Sequence, residues 1–483
     1  MQLEGNDADE GSQALLQLIN NLSCDETAPE VAELYVQNVQ ECLTSICREV
    51  LYQLCGARDA EGIGGELLPI SVKQMYSGKI SLRNGEVLDL VYLVPESVAL
   101  WEMLQALETE LQRAQAEGIH PAGGDGMLHS AGLEFKLSGI AVKLLLANDL
   151  DVSSSSPENV NSRVAATIAR VAACKILESE PRTSIFHALL RCIRLWAKRR
   201  GVYGESHDFG YIGGLGWAIC CAFICQTNPT ASLENLFMKF FQEMSRWDVQ
   251  FPVMLRGSNQ AAINREASLK VLLPVGHNLC ANPNLTESGA HQLLKEFRRG
   301  SRIIANIKEG KADWPEIFAP ARFLDRYVHF VQFDITAASD AVMNLWFPWC
   351  RSHVQGVGRL LEGVRTCRIT ARPWPVWMPF KDPEWHSAIA VFVALQVFPR
   401  PGATPGQGHP SVEVQNPVVD LREVLVILLQ RLCPWLHATE YFGQFDLYLR
   451  HVTQEEAKAW VMAVERGQPI VRGAALQASQ SGA

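Results

Sequence analysis

The chain has 483 residues, of which 48% are hydrophobic and 20% charged, the balance of a globular protein with more than one core. That composition excludes wholesale disorder, a collagen-like fibre and a small stapled scaffold, and the longest uncharged apolar stretch, Phe209 to Cys225, is too short and glycine-rich to span a bilayer. The net charge of -9 is uneven: residues 1–150 carry 8 Lys+Arg against 23 Asp+Glu, and the rest of the chain is mildly basic, so a local groove for nucleic acid is compatible with an acidic whole.

In chain order, apolar residues at helical spacing predict helix over 13–58, broken near Pro29. Strands are expected at Ser71–Leu82 and Val87–Val94 with Asn84-Gly85 as the turn, then a helix from Ser97 to Ala116. GIHPAGGDG reads as a loop, and Leu133–Phe135 with Ile140–Leu146 as a hairpin turning at Ser138-Gly139. From Val160 to about Gly310 the pattern is helical. Beyond Arg326, a strand at YVHFVQFDI precedes a helix over Ser339–Gly356, strands at Thr366–Ala371 and Ala388–Phe398, and a Pro/Gly-rich loop. A helix over Val419–Leu432, a strand at Phe445–Leu449 and a helix over Thr453–Glu465 then complete a β-α-β-β-α-β, ferredoxin-like order. The fold class expected is α+β and multidomain. The expected units are residues 1–152, a helical unit at 160–322, the ferredoxin-like unit at 323–466, and a disordered polar tail at 467–483.

The acidic N-terminus lacks an apolar stretch, so no secretory signal is expected, and 13 irregularly spaced cysteines suit a reducing compartment, nucleus or cytosol. Neither GxxxxGK[ST] nor HExxH occurs, and no CxxC pair suggests zinc. The most informative stretch runs from Ile185 to Leu255. Its first helix has an apolar face of Ile185, Leu189, Cys192 and Trp196 and a basic stripe of Arg191, Arg194 and Lys198, extended by Arg199 and Arg200. Those cations suit a solvated helix C-terminus or a face turned to phosphates. Gly213-Gly214 opens an apolar helix and permits close approach of a ligand or of another helix. Lys295, Arg298 and Arg299 form a second basic run. The WPVWMPF stretch, Trp374–Phe380, offers aromatic rings that belong to the core, stack on bases or dock a partner.

Together LLRCIRLWAKRR, Tyr203, GYIGGLGW at Gly210–Trp217, and Lys239–Phe241 with Trp247 and Pro252 resemble the central domain of eukaryotic poly(A) polymerases. The resemblance implies a nucleotidyltransferase α/β domain at 1–152, the helical central domain, and a C-terminal RNA-binding-like domain. It implies triphosphate contacts for Tyr203 and Arg194, and a base-side turn at Gly213 and Gly214. In this family a Gly-Ser pair opens a helix below the triphosphate, and three strand aspartates hold two magnesium ions that clamp the attacking and leaving oxygens. GEVLDLVYLVP is similar to the family's GADIDALCVAP and LSGIAVKLLLA to its FDGIEIDILFA, which puts Val87, Asp89 and Lys143 at the three positions. An ammonium cannot ligate a metal. Asp149 and Asp151 stand in a loop as an alternative Asp-x-Asp pair.

On that basis the expected function is that of an inactive poly(A)-polymerase-like protein, without metal or cofactor. It would bind RNA and partner subunits in a nuclear mRNA-processing complex of the cap-binding or 3′-end type, with cytoplasm the alternative location and no membrane contact. Two alternatives stand beside it: a divergent active polymerase using ATP and magnesium, and a protein-interaction scaffold that does not touch RNA.

Overall fold

The computed structural model describes residues 10–23, 33–55, 67–69, 88–95, 97–121, 132–148, 173, 182–204, 211–248, 251–256, 269–274, 280–282, 285–354, 356–364, 367–398, 421–435 and 437–470. Helices α1 (Glu10–Ser23) and α2 (Glu33–Cys55) are separate, as the break near Pro29 implies. A mixed sheet follows, built from β1 (Leu67–Pro69), β2 (Leu88–Val94), β3 (Glu117–Pro121), β4 (Gly132–Leu137) and β5 (Ile140–Asn148), with α3 (Leu100–Arg113) between β2 and β3. Its strand order is β1-β2-β5-β4-β3, with β2 and β5 parallel and the other pairs antiparallel. Leu88, Leu90, Tyr92 and Val94 alternate inward with Val142, Leu144 and Leu146, and the sheet buries them against α2 and α3. The β4–β5 turn places Ser138 at φ 51° and Gly139 at φ 78°, the left-handed pair of a two-residue hairpin. The strand expected at Ser71–Leu82 lies outside the described residues.

The central body comprises α4 (Thr183–Arg199), α5 (Gly214–Thr227), α6 (Leu233–Met244) and α7 (Glu287–Lys308), with a 3-10 turn at Trp314–Phe318. Its centre is aromatic. Trp196 stacks on Phe297 at 5.7 Å and meets Phe241 edge-on at 4.9 Å, an arrangement that adds to simple area burial. Gly300 lies against the Phe241 ring so closely that a Cβ there would overlap it. The sequence reading groups α1 with the N-terminal region, yet Leu15, Leu16 and Ile19 join this central cluster. A short helix, α8 (Phe323–Arg326), leads out of this body.

The remaining elements are β6 (His329–Ala337), α9 (Asp340–Val354), α10 (Val357–Glu362), β7 (Arg368–Pro373), β8 (Met378–Phe380), β9 (Ser387–Phe398), α11 (Arg422–Leu432), β10 (Phe445–Thr453) and α12 (Gln454–Glu465). The order β10-β6-β9-β7 is that of a ferredoxin-like sheet, antiparallel throughout. Thr453 and Glu456 form a capping box that starts α12 at the expected residue. Three strands are found where none is expected, the first being β1 at Leu67–Pro69, paired with β2. β3 occupies GIHP in the stretch read as loop, and β8 takes Met378–Phe380 from the aromatic run and pairs it with β9.

Candidate functional site

Parallel pairing of β2 with β5 sets Asp89 opposite Lys143, and antiparallel pairing with β4 sets Lys143 opposite Glu134. Leu88 and Leu90, on either side of Asp89 in β2, are buried in the sheet's core. Lys143 Nζ lies 2.8 Å from Glu134 Oε1, and these side chains are 28% and 26% exposed. Val87, Asp149 and Asp151 lie outside the described residues. Among the described residues, no three His, Cys, Asp or Glu side chains converge to hold an ion. An ammonium at the third mapped position has no lone pair for a metal, so Lys143 is not a metal ligand, and no step is assigned to a metal here.

The second group gathers at the C-terminal end of α4. Arg194 and Lys198 lie half-buried over the Tyr203 ring, 5.8 and 6.0 Å from its centroid. Tyr203 bridges to Ile212, and Gly204 N–H donates to the Ile212 carbonyl at 3.0 Å, just before Gly213 caps α5 and Gly214 begins it. Five of the sequence-derived residues (Arg194, Lys198, Tyr203, Gly213 and Gly214) thus meet at one place, with Arg191 one turn back on α4.

Other members of the basic stripe are committed to structure. Arg199 donates to the Leu22 carbonyl at 3.1 Å, fastening α1 to the central body. Arg200 is buried, and its Nε and Nη2 grip the Glu296 carboxylate at 2.8 and 3.1 Å. Arg326 adds a third charge-assisted bond to Glu296 at 3.1 Å. Burial alone would raise the Glu296 pKa, but the hydrogen bonds and charges of Arg200 and Arg326 outweigh it and hold the carboxyl below its ordinary value. On α7, Lys295 and Arg298 are exposed. Arg299 donates to the Glu316 and Ile317 carbonyls at 2.7 and 3.1 Å. Sequence reasoning missed Glu296, Arg326 and Arg372. One signal was present: Glu296 falls on the apolar face of α7 between Leu293 and Gly300, where an unpaired carboxylate would be costly.

Comparison with known proteins adds the following. Residues 185–320 match the family model of the poly(A) polymerase central domain. Nuclear poly(A) polymerase 1 of Arabidopsis thaliana is 30% identical over 283 residues, 52% of this chain and 39% of the relative. Poly(A) polymerase PAPalpha of Candida albicans is 32% identical over 169 residues, 32% of this chain and 30% of the relative. The chain therefore spans less than half the length of these curated relatives. Among solved structures, apo mtPAP aligns over 65% of this chain and 75% of its own at 14% identity, TM-score 0.45.

These relatives overturn the expectation of an inactive chain, since they are named as polymerases. With it falls the expectation of no cofactor, because the relatives are named poly(A) polymerases and polymerising adenylate consumes a nucleoside triphosphate. The physical reason is local. Residue types at two mapped positions do not decide activity when Asp89 remains on β2 and two further aspartates, Asp149 and Asp151, follow β5. Among the described residues, no helix is long and apolar enough to cross a membrane.

Proposed function

Because this chain is related to the poly(A) polymerase family, we propose that it is a divergent RNA nucleotidyltransferase that adds adenylate from ATP to an RNA 3′ end. The carrying observation is the central body, where the matched segment 185–320 brings Arg194, Lys198, Tyr203 and the Gly213-Gly214 turn together. Two cations stacked on a buried tyrosine make a positive, pre-positioned surface, which suits a triphosphate. Asp89 on β2, paired in register with Lys143, is the assigned carboxylate, and Asp149 and Asp151 are its candidate companions. RNA as partner and a nuclear location belong to this reading, supported by the relatives' names, and subunits of an RNA-processing assembly are proposed with them.

The test is primer extension by the purified chain with ATP and either magnesium or manganese. The expected result is a ladder of lengthening products that is lost in Asp89→Asn and reduced in Lys198→Ala. Absence of extension under every condition, with the wild-type chain folded, overturns the reading. Extension that survives Asp89→Asn but fails in Asp149→Asn or Asp151→Asn moves the carboxylate set beyond β5.

A further inference from the structure

A β-sheet ends in strands whose outer N–H and C=O groups lack a ladder partner, and folded chains blunt such edges with proline, bulges or short strands. The described residues form two sheets, and three of the four edges are blunted in this way. β1 has three residues and ends in Pro69. β3 has a register shift between Glu117 and His120 and ends in Pro121. On the far side of β9, β7 ends in Pro373 and β8 carries Pro379.

β10 is different. It pairs with β6 over nine residues, Phe445 to Thr453, with no shift of register, and it contains no proline, glycine or lysine. Among the described residues no strand lies on its other side. From Phe445 to Arg450 its side chains stay partly exposed, whereas those of β6 are buried from Phe330 to Ala337. Alternation along the ladder fixes which backbone groups face out. The Gln444 carbonyl accepts from Ala338 N–H at 2.8 Å, and Gln454 N–H donates to the Val328 carbonyl at 2.9 Å. Even-numbered residues therefore bond to β6, and Phe445, Leu447, Leu449 and His451 turn their N–H and C=O groups outward. Thr453 N–H, next in that series, donates to the Glu456 carboxylate at 2.7 Å and closes the edge. Side chains alternate as well. Phe445, Leu447 and Leu449 pack against the central cluster, and Asp446, Tyr448 and Arg450 take the opposite face.

This edge is complementary to itself. Two antiparallel copies of β10 related by a two-fold axis at Tyr448 bring outward groups opposite outward groups, with Leu447 against Leu449 of the second copy. On the opposite face Asp446 then meets Arg450 of the second copy, and symmetry repeats that pair. Arg450 is held on this face by Gln332, to which its Nε and Nη2 donate at 3.2 and 3.0 Å. Moving the axis to Leu447 or Leu449 sets Asp446 opposite Tyr448 or Val452 and loses both ion pairs. We propose that this edge joins two copies of the chain by strand addition in the register centred on Tyr448, making one continuous sheet across the dimer. A strand pair of this length buries an area at the low end for specific interfaces, so the dimer forms reversibly at about micromolar concentration. The proposal goes beyond the polymerase reading and does not rest on it, since it uses neither the Arg194–Tyr203 group nor Asp89.

The experiment is sedimentation equilibrium of the full chain from about 1 to 100 µM. The mass is expected to rise from that of one chain, 53.6 kDa, towards twice that value. Leu447→Pro removes an outward N–H and leaves the ladder to β6 intact, so it is expected to weaken dimerisation at least about tenfold while the thermal melt is retained. Asp446→Lys sets like charges together and is expected to weaken it about tenfold, and adding Arg450→Glu to the same chain reverses the pair and restores the dimer. If the proline variant fails to fold, the charge variants decide. The mass of a single chain at every concentration overturns the proposal. So does a dimer that persists in folded Leu447→Pro and Asp446→Lys chains, or one that Arg450→Glu fails to restore in a folded double variant. Failure of primer extension in a chain that dimerises counts against the polymerase reading alone, and extension by a chain that never dimerises counts against this proposal alone.

Discussion

Replacing Glu296 by Gln removes one negative charge from a place where water cannot compensate. The side chains of Glu296 and Arg200 are each 2% exposed, and their two bonds are 2.8 and 3.1 Å long. Arg326, whose side chain is 36% exposed, can return to solvent at little cost. The loss therefore falls on Arg200, left as a buried cation with an amide that offers it only one acceptor. Breaking a buried ion pair from one side costs about 3–5 kcal/mol. The retained acceptor puts this substitution near about 3 kcal/mol, against about 1 kcal/mol or less for Arg326→Gln. Urea denaturation of both variants, followed by tryptophan fluorescence, measures the difference, with Trp196 reporting because it stacks on Phe297, the neighbour of Glu296. A pH series adds a signed test. The Glu296 pKa lies below its ordinary 4.5, so its stabilisation is full above that value and is lost as pH falls through the lower folded value. The parent's lead over Glu296→Gln should shrink over that acid window alone. A Glu296→Gln chain within about 1 kcal/mol of the parent at neutral pH would refute the reasoning, and so would one as tolerant as Arg326→Gln.

Gly300→Ala should destabilise by about 1–3 kcal/mol in the same denaturation assay, since the new methyl overlaps the buried Phe241 ring. Lys143→Met should cost no more than about 1 kcal/mol, because its bond to Glu134 is partly solvated, and a larger loss would mean the row across the sheet is a buried network. His451 lies 3.1 Å from His329, and burial followed by that neighbour lowers its pKa from 6.5. Its neutral form therefore stabilises the β6–β10 edge at and above 6.5, and the gain is lost as pH falls through the folded value. His451→Gln should remove that part of the pH dependence in a thermal melt, and an unchanged profile would show that the pair does not sense pH.

By itself the sequence determined the local elements and the central motif. The hairpin turning at Ser138-Gly139 put β5 in place, the strand-like YVHFVQFDI run put β6, and the helix read from Thr453 stands as α12. The LLRCIRLWAKRR and GYIGGLGW blocks identified a body whose family model covers 185–320. Each of these signals lies within a few residues of the chain, because hydrogen bonding within a turn, a cap or a helix is local. Only the tertiary structure decided the rest. β3 and β8 are strands because the strands that follow them, β4 and β9, supply their ladder bonds, overriding glycine and proline at 117–121 and the proline at 379. The amphipathic face of α1 shows that it packs, but the partner is α4 of the central body rather than the adjacent sheet. Arg200 reads as one more cation of a basic stripe, and it is a buried half of an ion pair with a carboxylate 96 residues away. A charge's fate depends on whether the fold leaves it in water or brings it a partner, and no local pattern encodes that distance.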